Sequence, residues 1–402
     1  MTDVVITGLG VVSPLGHTLD DFWNGLLRGE VPVRPLDYPG TAVHGSLTYV
    51  VDEAPEAAAG TGRASGFAVA AARSALADAG LTGADQDVLD GVGICVGTGN
   101  GDSDLREMER DGRRELDGVQ WYPFGTAGVV AAELGVHGPG FTVSTACAAG
   151  AYAVSFGAEM ITSGEADVVL VGGAEAVSRP AMGAFLRLGA VDPLYCRPFD
   201  AERGGTVYGE GAAFLVLESA EHAARRGADA YAKVLGAGWS CDASHVTAPD
   251  PSGEQADRAA REALARGGVT GAAIGAVLSH GTGTPANDST ESRTTARVLA
   301  ERTPEVPVAA IKASLGHSGG ASGAFSCVAA ALVAKHQVVP PVGTLKQADP
   351  ECALRLVKGE PQAAVGDAVL VNAYAFGGNN ITVAIGAAEP LTVFSGSSGD
   401  TQ

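Results

Sequence analysis

Apolar runs with no polar alternation recur through the chain, and they leave it few choices of fold. Segments 91–97 (GVGICVG), 166–173 (ADVVLVGG), 211–218 and 274–279 are short and apolar at odd and even positions alike. A strand that is apolar on both faces must be covered on both faces. Segments with helical spacing lie between such runs, at 20–28, 65–79, 126–134, 255–266, 289–301 and 320–336. Further strands are expected at 4–9, 232–238, 368–372 and 381–385. Strand and helix alternate through both halves with a similar rhythm, so the chain reads as α/β, with sheets sandwiched by helices and a hint of internal duplication.

With 402 residues there is enough chain for two packed halves, and 46% hydrophobic residues, 57 glycines and 18% charged residues suit a compact buried protein. The expected division is 1–240 for a first half, 241–390 for a second, and a disordered tail over 391–402, where FSGSSGDTQ ends the chain. Segment 101–118, GDSDLREMERDGRRELDG, reads as a surface loop or helix. No apolar run is long enough to span a membrane, and the start lacks the basic region and cleavage site of a secretory signal. Six scattered cysteines form no CxxC pair, which suggests neither a zinc site nor a disulfide framework. The default is a reducing cytoplasm. A net charge of −20 argues against nucleic acid or an anionic membrane as a partner. Lysine is confined to Lys233, Lys312, Lys335, Lys346 and Lys358, so each bears inspection.

Cys147 lies in FTVSTACAAG (141–150), a β-branched run that gives way to small residues. The pattern is that of a buried strand, a tight turn and a helix. A cysteine there meets the unpaired N–H groups of a helix N-terminus, which favour thiolate and can bind an oxyanion. Taken alone, it reads first as a small buried core residue. Two glycine-flanked histidines follow strand-like runs, His280 in LSHGTGTPAND (278–288) and His317 in IKASLGHSGG (311–320). Neither has metal-ligand spacing, and either alone reads first as a structural histidine. NAYAFGGNN (372–380) is a glycine turn between strands, or a loop presenting N–H groups and an aromatic gate.

Together these blocks carry a resemblance. VVITGLGVVSPLG (4–16), TACAAG (145–150), RPFDAERGGTVYGEGA (197–212), HGTGTP (280–285), KASLGH (312–317) and AFGG (375–378) stand in the order found in the β-ketoacyl-acyl-carrier-protein synthases. The chain resembles these elongating, thiolase-superfamily ketosynthases from residue 3 to about 387. The resemblance implies a thiolase-like fold, two duplicated βαβ-type halves in a layered αβαβα sandwich. It implies decarboxylative Claisen condensation of an acyl group on Cys147 with malonyl-acyl-carrier protein, extending a fatty-acid or polyketide chain.

By the same resemblance, His280 and His317 donate hydrogen bonds to the enolate oxygen, and the N–H groups of Cys147 and Phe376 form the oxyanion hole. Phe376, with Gly377, is the gate. Thr282 and Thr284 bind the pantetheine arm, Lys312 orients His317 within a charged network, and Glu291 is one acidic partner of that lysine. The family's usual glutamate nine residues after the second histidine is Ser326 here, and its Ser and Thr are Gly283 and Asn379. Ser326 keeps open a same-fold acyltransferase that does not condense. A non-catalytic subunit of a ketosynthase heterodimer is argued against by the intact Cys147, and thiolase chemistry by the lack of a second catalytic cysteine near the C-terminus. No metal and no tightly bound cofactor is implied. The implied partners are acyl-carrier protein and a second subunit, as a homodimer or a related heterodimer. Candidate docking cations are Arg110, Arg113, Arg114, Arg225 and Arg226, and pocket depth is expected to depend on Phe141, Met160 and Phe185.

Overall fold

A computed structural model describes residues 2–38, 40–83, 86–113, 115 and 122–389. The tail call over 391–402 therefore lies outside the described residues, as does Arg114. Among the described residues, ten of the eleven strands of the main sheet build the core, the short Arg355–Leu356 being the eleventh: β1 (Val4–Val12), β2 (Gly93–Gly97), β3 (Gly140–Val143), β4 (Val168–Glu175), β5 (Gly211–Ser219), β6 (Ala232–Cys241), β7 (Ile274–Leu278), β8 (Pro307–Ala309), β9 (Ala368–Tyr374) and β10 (Asn379–Ala387). The principal helices are α1 (Leu19–Leu27), α2 (Arg63–Asp78), α3 (Ser103–Arg110), α4 (Thr126–Leu134), α5 (Ala149–Thr162), α6 (Arg179–Arg187), α7 (Glu254–Arg266), α8 (Pro285–Leu299) and α9 (Ser322–His336).

The duplication hinted at in the sequence is explicit in the topology. Five strands run β3-β2-β4-β5-β1 and the other five run β8-β7-β9-β10-β6, the same order shifted by five. The directions repeat as well. β2 is parallel to β3 and β4, and β5 is antiparallel to β4 and β1. β7 is parallel to β8 and β9, and β10 is antiparallel to β9 and β6. Connecting helices match too: α2, α4 and α5 in the first repeat stand where α7, α8 and α9 stand in the second. By strand order β6 opens the second repeat, although a division at 240 leaves it in the first. The two sheets join where β1 pairs antiparallel with β6 over Val4 to Ile6.

The layers follow from the apolar faces. α2 and α4 cover the outer face of the first sheet, and α7 and α8 that of the second. α5 and α9 lie between the sheets, in one core with the inner faces of both. That position explains the composition of α9, where every residue from Ser322 to Ala334 is buried and no polar stripe exists.

Two expectations are corrected. β3 is an edge strand rather than a buried one: Gly140 and Phe141 are exposed, and among the described residues only β2 pairs with it. The acidic segment after residue 101 is not all surface, for Asp102, Asp104 and Glu107 are buried. Asp102 accepts the Ser65 N–H at 2.8 Å and Asp104 the Arg63 N–H at 3.1 Å, so both carboxylates cap the start of α2. Glu107 pairs with Arg179 at 3.0 Å.

The central helices approach through glycines. A Cβ at Gly150 on α5 would stand 2.7 Å from the Ala324 nitrogen, and one at Gly323 on α9 would stand 2.6 Å from the Ala151 nitrogen. Gly150→Ala is expected to lower stability by about 1–3 kcal/mol through overpacking, read as a lower urea midpoint at unchanged m. An unchanged midpoint would show that the helices have room to separate.

Candidate active site

The loops that follow the parallel strands of both repeats open at one end of the sandwich, where ligands of open α/β sheets bind. After β3 the chain passes through Ala146, held at φ +48°, into a tight helical turn, Ala146–Ala148, that leads into α5. A non-glycine residue at positive φ costs on the order of 1–3 kcal/mol, so the packing around it must enforce that turn. It sets Cys147 at the foot of a buried helix. His280 follows β7, Lys312 and His317 follow β8, and Phe376 follows β9. Gly377, at φ +84°, makes the turn after Phe376 that few other residues could make without strain.

Cys147, His280, His317, Phe376, Thr282 and Thr284 line one cavity of about 220 Å³, together with Phe185, Leu188, Tyr374 and neighbours. The imidazoles of His280 and His317 stand 5.6 Å apart between ring centres, at 86° to each other. Phe185 stacks on Phe376 at 5.7 Å and meets the edge of His317 at 5.9 Å. The Thr282 and Thr284 hydroxyls lie 2.8 Å apart. Phe141 and Met160 do not line this cavity: Phe141 is 40% exposed on β3, and Met160 is buried in the core.

Burial dominates the electrostatics. The Cys147 thiol is pushed up to about 11, mainly by desolvation, against the lowering effects of the Lys312 ammonium and the N–H groups of Phe376 and Cys147 itself. The expected tilt toward thiolate is thus outweighed, because the fully buried sulfur loses more hydration than the helix start returns. Both histidines are held well below their usual range, first by burial and then by the Lys312 charge, and so are neutral at pH 7.

Lys312 does not contact His317. Its Nζ lies 3.3 Å from His280 Nδ1 and donates to the His280 carbonyl. The cause is strand register: β8 runs beside β7 with Ala309 opposite Leu278, which puts the residues just beyond both strands side by side. Burial lowers the Lys312 pKa, and the nearby Glu291 charge opposes this. Glu291 itself, pushed up to about 7 by burial, accepts the N–H groups of His280 at 2.7 Å and Gly281 at 2.8 Å. It therefore fixes the His280 loop while acting on Lys312 through space. Ser326 is buried on α9 and does not line the cavity.

Several polar residues at the site carried no signal strong enough to be singled out. His317 Nδ1 lies 3.1 Å from Ser322 Oγ. The buried Glu175 carboxylate, at the end of β4, accepts N–H bonds from Gly99, Asn100 and Gly320, which ties the first repeat to the His317 segment. Asp288 accepts the N–H groups of Thr282, Gly283 and Phe199. A carboxylate closing an apolar strand, as in VVLVGGAE, was the available clue to Glu175. The docking arginines are largely spent elsewhere: Arg226 pairs with Glu218, Arg225 with Glu221 and Arg113 with Asp111.

Comparison with known proteins fits this geometry. Residues 1–223 match the family model "Beta-ketoacyl synthase, N-terminal domain" and residues 231–346 match "Beta-ketoacyl synthase, C-terminal domain". The chain belongs to the β-ketoacyl synthase family. This β-ketoacyl synthase is 34% identical to 3-oxoacyl-[acyl-carrier-protein] synthase 2 of Synechocystis sp., over 95% of the chain and 97% of that protein. It is 35% identical to the ketoacyl synthase alpha subunit of the tetracenomycin polyketide synthase of Streptomyces glaucescens, over 93% and 95% respectively. Among solved structures, the ishigamide ketosynthase/chain length factor superposes with a TM-score of 0.89 at 38% identity, over 96% of the chain and 100% of its own. A ketosynthase bound to a hexaketide, in a complex with its type II polyketide acyl-carrier protein, gives 0.85 at 29% identity, with the same coverages. Among the described residues no group of three or more His, Cys, Asp or Glu is placed to hold a metal, and no helix is long and apolar enough to cross a membrane.

Alkylation of Cys147 by iodoacetamide, followed by peptide mass spectrometry, is expected to accelerate with pH beyond 9 toward about 11. Lys312→Met removes the charge that lowers the thiol pKa, so alkylation at a given pH should slow. A plateau by pH 9 would show that burial does not raise this thiol.

Proposed function

We propose that this β-ketoacyl synthase elongates an acyl chain carried on acyl-carrier protein, with Cys147 as nucleophile and His280 and His317 as the pair that generates the carbanion equivalent. The observation that carries the reading is that one cavity gathers Cys147, both neutral imidazoles and Phe376 from four separate loops. Cys147 Sγ attacks the thioester of the acyl-carrier, the carrier thiol leaves with the proton, and the acyl group stays on Cys147. The N–H groups of Cys147 and Phe376 that act on the sulfur are placed for the oxyanion of that exchange.

In the second half, malonyl-carrier loses CO2 and the electron pair of the breaking C–C bond moves into an enolate. Neutral imidazole N–H groups suit the enolate oxygen, since an imidazolium would tend to surrender its proton. The enolate carbon attacks the acyl carbonyl on Cys147, the Cys147 thiolate leaves and is reprotonated, and a β-ketoacyl group departs on the carrier. Lys312 holds His280 through Nδ1, and the paired hydroxyls of Thr282 and Thr284 offer the pantetheine amides a polar wall. Phe376 and Phe185, stacked across the cavity, are placed to gate the passage between the two half-reactions. No tightly bound cofactor enters this scheme; both substrates arrive on phosphopantetheine.

The second subunit, a copy of this chain or a related one, is placed on the edge of β3. No described residue pairs with the outer edge of β3, and Tyr122, Phe124 and Phe141 are 49%, 67% and 40% exposed. An unpaired strand edge with exposed aromatics favours closure by a second chain. Phe124→Asp is expected to shift the protein toward monomer by light scattering; an unchanged mass would move the interface elsewhere.

A series of acyl-carriers with malonyl-carrier, weighed by mass spectrometry, tests the reaction: β-keto products two carbons longer support it. Acyl transfer with no β-keto product would sink the condensation step, and no adduct on Cys147 would sink the nucleophile. Cys147→Ala should abolish acylation yet leave malonyl decarboxylation, whereas His280→Ala or His317→Ala should cut decarboxylation by about 100- to 1,000-fold.

A further inference from the structure

The two histidines are held by different means, and only one of those means is a charge. His280 Nδ1 faces the Lys312 ammonium, which can only donate, so its proton sits on Nε2. His317 Nδ1 faces a serine hydroxyl, Ser322 Oγ at 3.1 Å, which can donate or accept. Ser322 Oγ lies 3.2 Å from a second hydroxyl, Ser318 Oγ, and all three side chains are buried. Ser318 Oγ has no other hydrogen-bond partner among the described residues.

Counting hydrogens decides the direction. If Nδ1 carried the proton and donated to Ser322, then Ser322 would donate to Ser318, and the Ser318 hydrogen would be buried with no acceptor. Run the other way, Ser318 donates to Ser322, Ser322 donates to Nδ1, and both buried hydroxyl hydrogens are used. An unsatisfied buried donor costs about 1–3 kcal/mol, so the second arrangement wins. Nε2 then carries the hydrogen, and it is the ring nitrogen left for the cavity that His317 lines.

We infer that Ser322, oriented by Ser318, is a positioning residue that fixes His317 as the Nε2–H tautomer and so keeps it a donor to the substrate carbonyl. The link to catalysis rests on the function proposed above, while the tautomer stands on the hydrogen-bond accounting alone. Ser322 opens α9, five residues after His317, so the helix that brings His317 into the site also carries the group that sets its proton. The second repeat thereby delivers two neutral donors, one held by an ammonium and the other by a pair of hydroxyls.

The test uses the full-length protein labelled with 15N at its histidine rings, with the His317 signals assigned by their loss in His317→Gln. The wild-type spectrum should show a protonated Nε2 and a bare, hydrogen-bond-accepting Nδ1. In Ser322→Ala the ring should shift toward a tautomer mixture. Decarboxylation of malonyl-carrier should fall about tenfold or more, while acylation of Cys147 stays within about twofold. Ser322→Thr, which keeps the hydroxyl, should restore the wild-type spectrum. A wild-type ring protonated at Nδ1 overturns the inference whether or not the variants fold. Equal loss of acylation and decarboxylation in Ser322→Ala overturns the positioning role. If the wild-type protein decarboxylates no malonyl-carrier, the function proposed above fails, and the ring spectrum still decides the tautomer.

Discussion

The contact between α5 and α9 is the constraint on which the site depends. Each helix is buried between two sheets, and each follows the end strand of its own five-strand repeat, β3 before α5 and β8 before α9, with Cys147 just before α5 and His317 just before the turn into α9. Because Gly150 and Gly323 let the two backbones almost touch, the starts of both helices are drawn together. A side chain at either glycine would push Cys147 and His317 apart. Cys147 thus comes from one repeat and the histidines from the other, so neither repeat lines the cavity alone. The Glu175 carboxylate, binding N–H groups on both sides of this junction, locks the relation that the glycines permit.

Burying such a site raises an electrostatic problem, and the structure answers it by leaving few charges. Cys147 is pushed toward thiol and both histidines toward neutral imidazole, which leaves Lys312 as the cation nearest the reacting atoms. One cation without a contacting carboxylate would be costly, and Glu291 opposes that cost at a distance while its own oxygens hold the His280 loop. The charge on Lys312 therefore serves two ends: it lowers the thiol pKa, and it keeps His280 from protonating.

Much of the fold was legible because its signals are local. Two-faced apolar runs placed the inner strands, helical spacing placed α2, α4, α7 and α9, and glycine-bounded blocks placed Cys147, His280, His317 and Phe376. What was misread depends on neighbours in space. The resemblance tied Lys312 to His317, whereas the register of β8 against β7 brings its hydrogen bonds to His280. The carboxylates of 102–107 looked solvated because nothing local shows that Asp102 and Asp104 cap α2, a helix whose capped N–H groups lie 37 and 41 residues earlier in the chain. FTVS looked buried because an apolar edge strand and an apolar inner strand have the same composition; only the sheet order tells them apart. Ser322 was invisible for a similar reason, since a serine in a small-residue helix is ordinary until an imidazole is found against it.

The departure at Ser326 takes on a different meaning once these contacts are known. A carboxylate on α9 at that position would be a buried acid in a helix that otherwise has none, in a core where desolvation already raises Glu175 to about 6 and Glu291 to about 7. With serine there, α9 carries three small hydroxyl or thiol side chains, Ser322, Ser326 and Cys327, and no ionisable acid. Lys312 then relies on Glu291 first and Asp288 after it for opposing charge, and the His317 side of the site is held by neutral hydroxyls. The division is physical: the His280 loop is governed by charge and the His317 helix by hydrogen-bond direction. A helix without a carboxylate also spares the close-packed α5–α9 contact the cost of desolvating a buried acid.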